Sequence, residues 1–170
     1  MKPAPFHYIA PSSLEEALSL LEEYNGEAKV LAGGQSLVPL MNFRLLRPGC
    51  LLDINGLKNL SGILFADGKL TLGCLTRQCD VEHSTEVERH LPILSEAIRL
   101  VAHPAIRNRG TVGGSLVHAD PAAELPVVAM ALDTELELRS KQGSRSVPID
   151  EFFLGYLNTC ITPGEMLVKI

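Results

Sequence analysis

The run Lys29-Val30-Leu31-Ala32-Gly33-Gly34-Gln35-Ser36-Leu37-Val38-Pro39 passes from an apolar, strand-like segment straight into a glycine pair bordered by small polar residues. The arrangement returns at Thr111-Val112-Gly113-Gly114-Ser115. Without Cβ atoms a chain can take positive φ and bring successive N–H groups toward one ligand, forming the concave nest that holds phosphate oxygens. The hydroxyls of Ser36, Thr111 and Ser115 can add donors to the same anion. Neither run belongs to a G-x-G-x-x-G after a strand or a G-x-x-x-x-G-K-[ST], so a Rossmann site and a P-loop are both disfavoured. A lone glycine pair is usually a tight turn. Two such pairs with polar flanks leave turn and nest evenly weighed.

Outward from the first run, Ser12 and Ser13 precede Leu14, Ala17, Leu18 and Leu21, apolar positions at helical spacing, and Glu15 and Glu16 complete either possible capping box. Asn25-Gly26 is the stop signal of this helix. Ala28 to Leu31 and Leu51 to Ile54 read as short buried strands, separated by a helix or loop carrying Leu37, Leu40, Met41 and Phe43. Asp67-Gly68, between Ile63–Ala66 and Lys69–Leu72, is a hairpin signal. A helical stretch is predicted from about Thr76 to Leu100, broken near Pro92 and ended before His103-Pro104. A buried helix over Leu125 to Leu132 starts through Asp120-Pro121, an N-cap followed by proline in the first helical position. Leu136 and Leu138 alternate with Glu135, Glu137 and Arg139, after which Gln142-Gly143-Ser144 turns the chain back. The class is α+β in two lobes, residues 1–56 and 57–170, divided near Gly56. The closing run Glu165 to Ile170 is strand-like with no turn or polar tail after it, and reads as a cut end.

The 170 residues carry 15 Lys and Arg against 20 Asp and Glu, a net charge of -5. Nucleic acid is not an expected partner, because phosphate binding needs clustered cationic side chains. A hydrophobic fraction of 46% and a charged fraction of 21% are ordinary globular values and argue against disorder. No apolar run approaches the roughly 18 residues of a membrane span, and Met1-Lys2-Pro3-Ala4-Pro5 lacks the apolar core of a signal peptide, so the cytoplasm is the expected location. Cys50, Cys74, Cys79 and Cys160 form no CxxC pair, and the five histidines fall in no metal-ligand spacing. Cys74 and Cys79 begin the plant-type ferredoxin spacing, but the third cysteine is missing.

Taken with Leu52-Asp53-Ile54-Asn55 and with the segment H-P-A-I-R-N-R-G-T-V-G-G-S-L-V-H-A-D-P-A-A-E-L-P from His103 to Pro126, the Lys29–Pro39 run resembles the FAD-binding subunit of molybdenum-containing hydroxylases. These are the relatives of carbon monoxide dehydrogenase and xanthine dehydrogenase. The likeness continues in order through G-Y-L-N-T-C-I-T-P-G-E-M-L, Gly155 to Leu167. The resemblance implies a two-subdomain domain of the vanillyl-alcohol-oxidase-like (PCMH-type) fold, with FAD held noncovalently between the subdomains. It also implies that Ala32, Gly33, Gly34, Gln35 and Ser36 wrap the FAD pyrophosphate from the first lobe, while Thr111, Val112, Gly113, Gly114 and Ser115 approach from the second. Many relatives carry Asn where this chain has Ser115, a shorter donor. Glu124 would contact the flavin nucleotide, and Leu167, with Ile106, would neighbour the isoalloxazine ring.

The partners implied are a small subunit with two-iron two-sulfur clusters and a large molybdopterin subunit. This chain would relay electrons to a terminal acceptor, with no catalytic acid, base or metal of its own. The family's smaller C-terminal domain, which covers part of the flavin, is absent, so a fragment or a split gene is expected, and loss of that cover weakens FAD binding. Two other readings compete: a stand-alone flavin oxidoreductase fragment, and a non-enzymatic nucleotide- or phosphate-binding domain.

Four further expectations concern single residues. His118 sits either near the flavin or in a structural, partly buried place. Asp120 caps a helix and shares a face with Glu124, four residues on. Arg107 and Arg109 neutralise pyrophosphate, face a partner, or are solvated surface charge. Gly33→Val or Gly114→Val should block the flavin while leaving the fold largely intact.

Overall fold

The computed structural model describes all of residues 1–170. Strand β1 (His7–Ile9), helix α1 (Leu14–Tyr24), strand β2 (Ala28–Leu31), helix α2 (Leu37–Asn42) and strand β3 (Cys50–Asp53) follow in chain order. β3 lies in the middle, parallel to both β1 and β2. Parallel neighbours need a crossover: the β2-to-β3 connection runs through α2, while α1 joins β1 to β2 on opposite sides of β3, with Leu14, Ala17, Leu18 and Leu21 turned to the core. Both serines start α1. The Ser13 hydroxyl accepts from the Glu16 N–H at 3.1 Å, while the Glu16 carboxylate accepts from the N–H and hydroxyl of Ser12, each at 2.7 Å. Asn25 ends the helix in the left-handed region, φ 41°.

After a single 3-10 turn at Lys58–Leu60, strands β4 (Ile63–Ala66) and β5 (Lys69–Leu72) form the expected hairpin. Asp67 and Gly68 both have positive φ, 52° and 76°, the combination that an Asp-Gly turn requires. The predicted helical stretch is split twice rather than once, into α3 (Gln78–Glu82), α4 (Thr85–His90) and α5 (Pro92–Leu100). The break not foreseen falls at His83-Ser84. There the Ser84 hydroxyl accepts from the Val87 N–H at 3.3 Å and restarts the helix, a local bond that competes with helix continuation.

Helices α6 (Pro104–Arg107), α7 (Val112–His118) and α8 (Glu124–Ala131) come next. α8 begins three residues later than the Asp120-Pro121 signal suggests. The Asp120 carboxylate accepts from the Ala122 N–H at 2.9 Å and its carbonyl from the Ala123 N–H at 3.0 Å, so Asp120 closes a separate turn instead of capping the helix. Glu124 is therefore the first residue of α8 and shares no helix face with Asp120.

Strands β6 (Glu135–Ser140) and β7 (Gly143–Pro148) form an antiparallel hairpin; helix α9 (Ile149–Phe152) and the small ribbon of β8 (Phe153–Gly155) and β9 (Asn158–Thr159) lead to β10 (Met166–Lys169). The sheet order is β10-β6-β7. Leu136 and Leu138 are fully buried, as their alternation predicts. The turn falls one residue early, at Lys141-Gln142, because Gly143 already pairs with Ser140. β10 also reaches β5, with Leu72 and Ile170 exchanging N–H···O bonds of 2.7 and 2.9 Å. A single apolar cluster runs through both halves, from Leu18 and Leu52 to Leu116, Leu138 and Phe152. No helix is long and apolar enough to cross a membrane.

The turn into β10 carries a pH-sensitive contact. Arg145 donates to both Glu165 carboxylate oxygens at 2.7 and 2.8 Å, and Glu165 also accepts from the Thr162 N–H at 2.9 Å. Hydrogen bonding from Arg145 outweighs the cost of burial and holds the carboxyl down to about 2. A depressed folded-state value means that this stability is present above the unfolded carboxyl pKa, near 4.3, and is lost as pH falls toward 2. With Arg145 half exposed, screening leaves about 1 to 2 kcal/mol. In acid titrations followed by circular dichroism, wild type should lose that margin over Glu165→Gln between about pH 5 and pH 2; parallel curves would refute it.

Candidate functional site

The two glycine runs meet. A Cβ placed on Gly33 would lie 2.5 Å from the Arg109 carbonyl oxygen and 2.8 Å from the Gly110 Cα. A Cβ on Gly114 would lie 3.9 Å from that of Ala32. The reasons for glycine therefore differ by position. Gly34 alone among the four takes a positive φ, 73°, whereas Gly33 and Gly113 are required because the chain's own backbone passes too close for a side chain. At Gly113 that backbone is Cys74, whose carbonyl oxygen would sit 2.6 Å from a Cβ. A valine at Gly33 therefore disturbs the packing of the two segments, and the expectation that it spares the fold is corrected.

The runs also differ in what they offer a ligand. From Gly33 through Leu37 no backbone N–H donates within the chain, while the Gln35 side chain braces the loop by donating to the Gly33 carbonyl at 2.9 Å. A row of uncommitted N–H groups leading into a helix is an anion-binding arrangement. In α7 the nitrogens are taken. Val112 donates to the Thr76 carbonyl at 3.0 Å, Gly113 to the Cys74 carbonyl at 3.1 Å, and Gly114 to the Thr111 hydroxyl at 3.0 Å. Thr111, only 2% exposed, acts as the cap of its own helix. The second run therefore presents chiefly the half-buried Ser115 hydroxyl, which has no partner in the chain.

A polar chain joins the two runs from behind. The Asn55 amide nitrogen donates to the Ala32 carbonyl at 2.8 Å, and its oxygen accepts from Arg77 Nη2 at 2.6 Å. The other arm of Arg77 donates to the Arg109 carbonyl, the same oxygen that faces Gly33. Asp53 accepts from the Asn55 N–H at 2.9 Å and from the Tyr8 hydroxyl at 2.6 Å. Burial opposes its charge, but these bonds and the nearby Arg109 prevail and keep its carboxyl below the ordinary range. Neither Asn55 nor Arg77 is marked by sequence spacing, since their partners lie in distant parts of the chain.

The remaining expected site residues lie on separate elements. Glu124 is half-buried at the start of α8, with no hydrogen bond to its carboxylate from the chain. Leu167 is 3% exposed and packs in the apolar cluster on β10, which lies against α7. Ile106 and His118 are half-buried. Ser36 is exposed at the start of α2. Arg107 is neither a free cation for an anion nor a solvated charge: it is buried, with bonds of 2.7 and 2.9 Å to the Glu82 carboxylate and 2.9 Å to the Val101 carbonyl. Arg109 is exposed.

The chain is similar along its whole length to known proteins. The 6-hydroxypseudooxynicotine dehydrogenase complex subunit alpha of Paenarthrobacter nicotinovorans is 49% identical over all of this chain and 57% of its own length. The carbon monoxide dehydrogenase medium chain of Hydrogenophaga pseudoflava is 40% identical over all of this chain and 59% of its own length. The chain thus spans somewhat more than half of these relatives. The solved structure of that carbon monoxide dehydrogenase, in a form lacking the Mo-pyranopterin moiety of its cofactor, matches 99% of this chain and 59% of the other with a TM-score of 0.97. Quinoline 2-oxidoreductase from Pseudomonas putida 86 matches over the same shares at 0.96, with 40% identity. The family described as the FAD binding domain in molybdopterin dehydrogenase matches residues 4–170, and the chain belongs to it.

Proposed function

We propose that this chain holds FAD noncovalently between residues 1–56 and 57–170, as the electron-relay part of a cytoplasmic molybdenum hydroxylase complex. The observation that carries this reading is the row of free N–H groups from Gly33 to Leu37 in a loop that meets the second run at Gly114. The residues fit the group: a pyrophosphate needs several donors converging from one side, and the first run supplies them without a charged side chain. Ala32 and Gly33 carry the loop against the second lobe, and Gly34, Gln35 and Ser36 turn its nitrogens outward. Thr111, Val112 and Gly113 fix α7 in place rather than donate to phosphate, leaving Gly114 as a close-approach surface and Ser115 as the hydroxyl donor. Leu167 supports α7 from the core side.

The chemistry that bound FAD supplies is the passage of electrons from iron–sulfur clusters in a small partner subunit, fed by a molybdopterin-bearing large subunit, to a terminal acceptor. The protein's share is to hold and orient it, and no acid, base or metal ligand of this chain is needed. Glu124 has a carboxylate free to accept, and like charge keeps it from the pyrophosphate, so it serves a ribose or ribityl hydroxyl. A charge-assisted bond of that kind contributes about 1.5 to 3 kcal/mol.

Titration with FAD, followed by flavin fluorescence, tests the reading. Wild type should bind saturably, and acid precipitation should release the flavin into the supernatant. Glu124→Ala should weaken binding by roughly ten- to a hundredfold, and Glu124→Gln by less. Absence of saturable binding by wild type, or colour retained in the pellet, would overturn the proposal; unchanged affinity in the alanine variant would remove Glu124 from it.

A further inference from the structure

We infer that Arg77, through Asn55, is a positioning residue that sets the spacing of the two glycine runs and so the affinity for the dinucleotide, an inference that rests on the FAD reading above. The side chain is half-buried and forked. One arm holds the Arg109 carbonyl and the other holds the Asn55 amide oxygen at 2.6 Å. Asn55 passes the restraint on, since its amide nitrogen holds the Ala32 carbonyl at 2.8 Å, one residue before Gly33. The chain of contacts therefore begins on the backbone beside one run and ends on the backbone beside the other.

Three features make this more than a generic surface bond. First, the Arg109 carbonyl is the atom nearest to where a Gly33 side chain would stand, so its position directly limits how closely the runs approach. Second, the orientation of the Asn55 amide is fixed by chemistry: the guanidinium has only donors, so the oxygen must face Arg77 and the nitrogen is left for the Ala32 and Asp53 oxygens. Third, Arg77 itself sits in backbone register with Thr111, and the following Gln78 N–H donates to the Gly110 carbonyl at 2.9 Å. The fork is thus anchored on the second run and reaches back to the first. A lysine cannot reproduce it, because an ammonium on a flexible stem lacks the fixed two-armed geometry.

Because none of these groups points a donor at the phosphate, the effect on FAD is indirect and has a distinguishable signature. The experiment uses the full chain, with thermal melts of the flavin-free protein and FAD titrations by fluorescence for wild type, Arg77→Lys, Arg77→Ala, Asn55→Ala and the Asn55→Ala/Arg77→Ala pair. Arg77→Ala should raise the FAD dissociation constant by about tenfold or more, with a smaller rise for lysine. The pair should bind no more weakly than the worse single variant, since both belong to one chain of contacts. Low-millimolar methylguanidinium should recover part of the affinity of Arg77→Ala and have no effect on wild type. If wild type binds FAD and Arg77→Ala binds equally well, the positioning role is wrong while the FAD reading stands. A loss that tracks a lowered melting temperature and is not recovered by methylguanidinium reduces Arg77 to a structural residue and likewise overturns the inference. Failure of wild type itself to bind removes the FAD reading and this inference with it.

Discussion

Gly33→Val should yield a protein that does not reach FAD saturation at concentrations that saturate wild type, and that melts roughly 5 to 10 °C lower. The first atom added already stands 2.5 Å from the Arg109 oxygen, about 1 Å inside ordinary contact, and the two further methyl groups have to find room in the same gap. The facing backbone cannot move cheaply. Arg77 holds the Arg109 carbonyl, the Gly110 N–H donates to the Ile106 carbonyl at 2.7 Å, and Arg107 is locked on Glu82 in the turn before. The strain therefore appears partly as lost stability and partly as a widened gap between the runs. Gly33→Ala should show the same two effects at smaller size, about 1 to 3 kcal/mol in all. Gly56→Ala is the control: a Cβ there meets nothing within 4 Å, and both readouts should stay at wild-type values. Wild-type FAD affinity in Gly33→Val would show that the two runs do not set the site.

Gly113→Ala should separate stability from binding. Its Cβ would stand 2.6 Å from the Cys74 oxygen and 2.7 Å from the Cys74 Cβ, both on a buried segment. Relief requires α7 to back away, which breaks the Gly113 N–H bond to Cys74 and strains that of Val112 to Thr76. Overpacking and a weakened buried hydrogen bond together come to about 3 kcal/mol, or roughly 6 to 12 °C in melting temperature. The free nitrogens lie on the other run, so FAD affinity measured at low temperature should fall less than in Gly33→Val. Calorimetry and titration of the two variants check the ordering, and a reversed order would mean that α7 is the main phosphate holder.

The parts of this fold that could be read from sequence are those set by neighbours a few residues apart. Helix α1 announces itself by spacing and caps, the β4–β5 turn by Asp67-Gly68, and β6 by the alternation of Leu136 and Leu138. The misreadings have one physical origin, a competitor that acts over a different range. At Ser84 and Asp120 it is shorter: a side chain bonds a backbone N–H two or three residues ahead, ending or delaying a helix that periodicity extends. At Arg107 it is longer: Glu82, 25 positions away, supplies the carboxylate that makes burial of a guanidinium tolerable. The glycine runs were legible as special positions, yet the reason for Gly33 and Gly113, contact with distant backbone, was not. Asn55 stood only as the end of the Leu52–Asn55 run and Arg77 carried no local signal, because what distinguishes their roles is whom they meet.

The apolar cluster that runs from Leu18 and Leu52 through Leu116 to Phe152 ties residues 1–56 to residues 57–170. Parting the halves would expose that cluster to water, at about 25 cal/mol for each Å² uncovered, so the molecule has no inexpensive hinge at Gly56. On the division proposed above, the two halves should then unfold in one transition rather than part at Gly56.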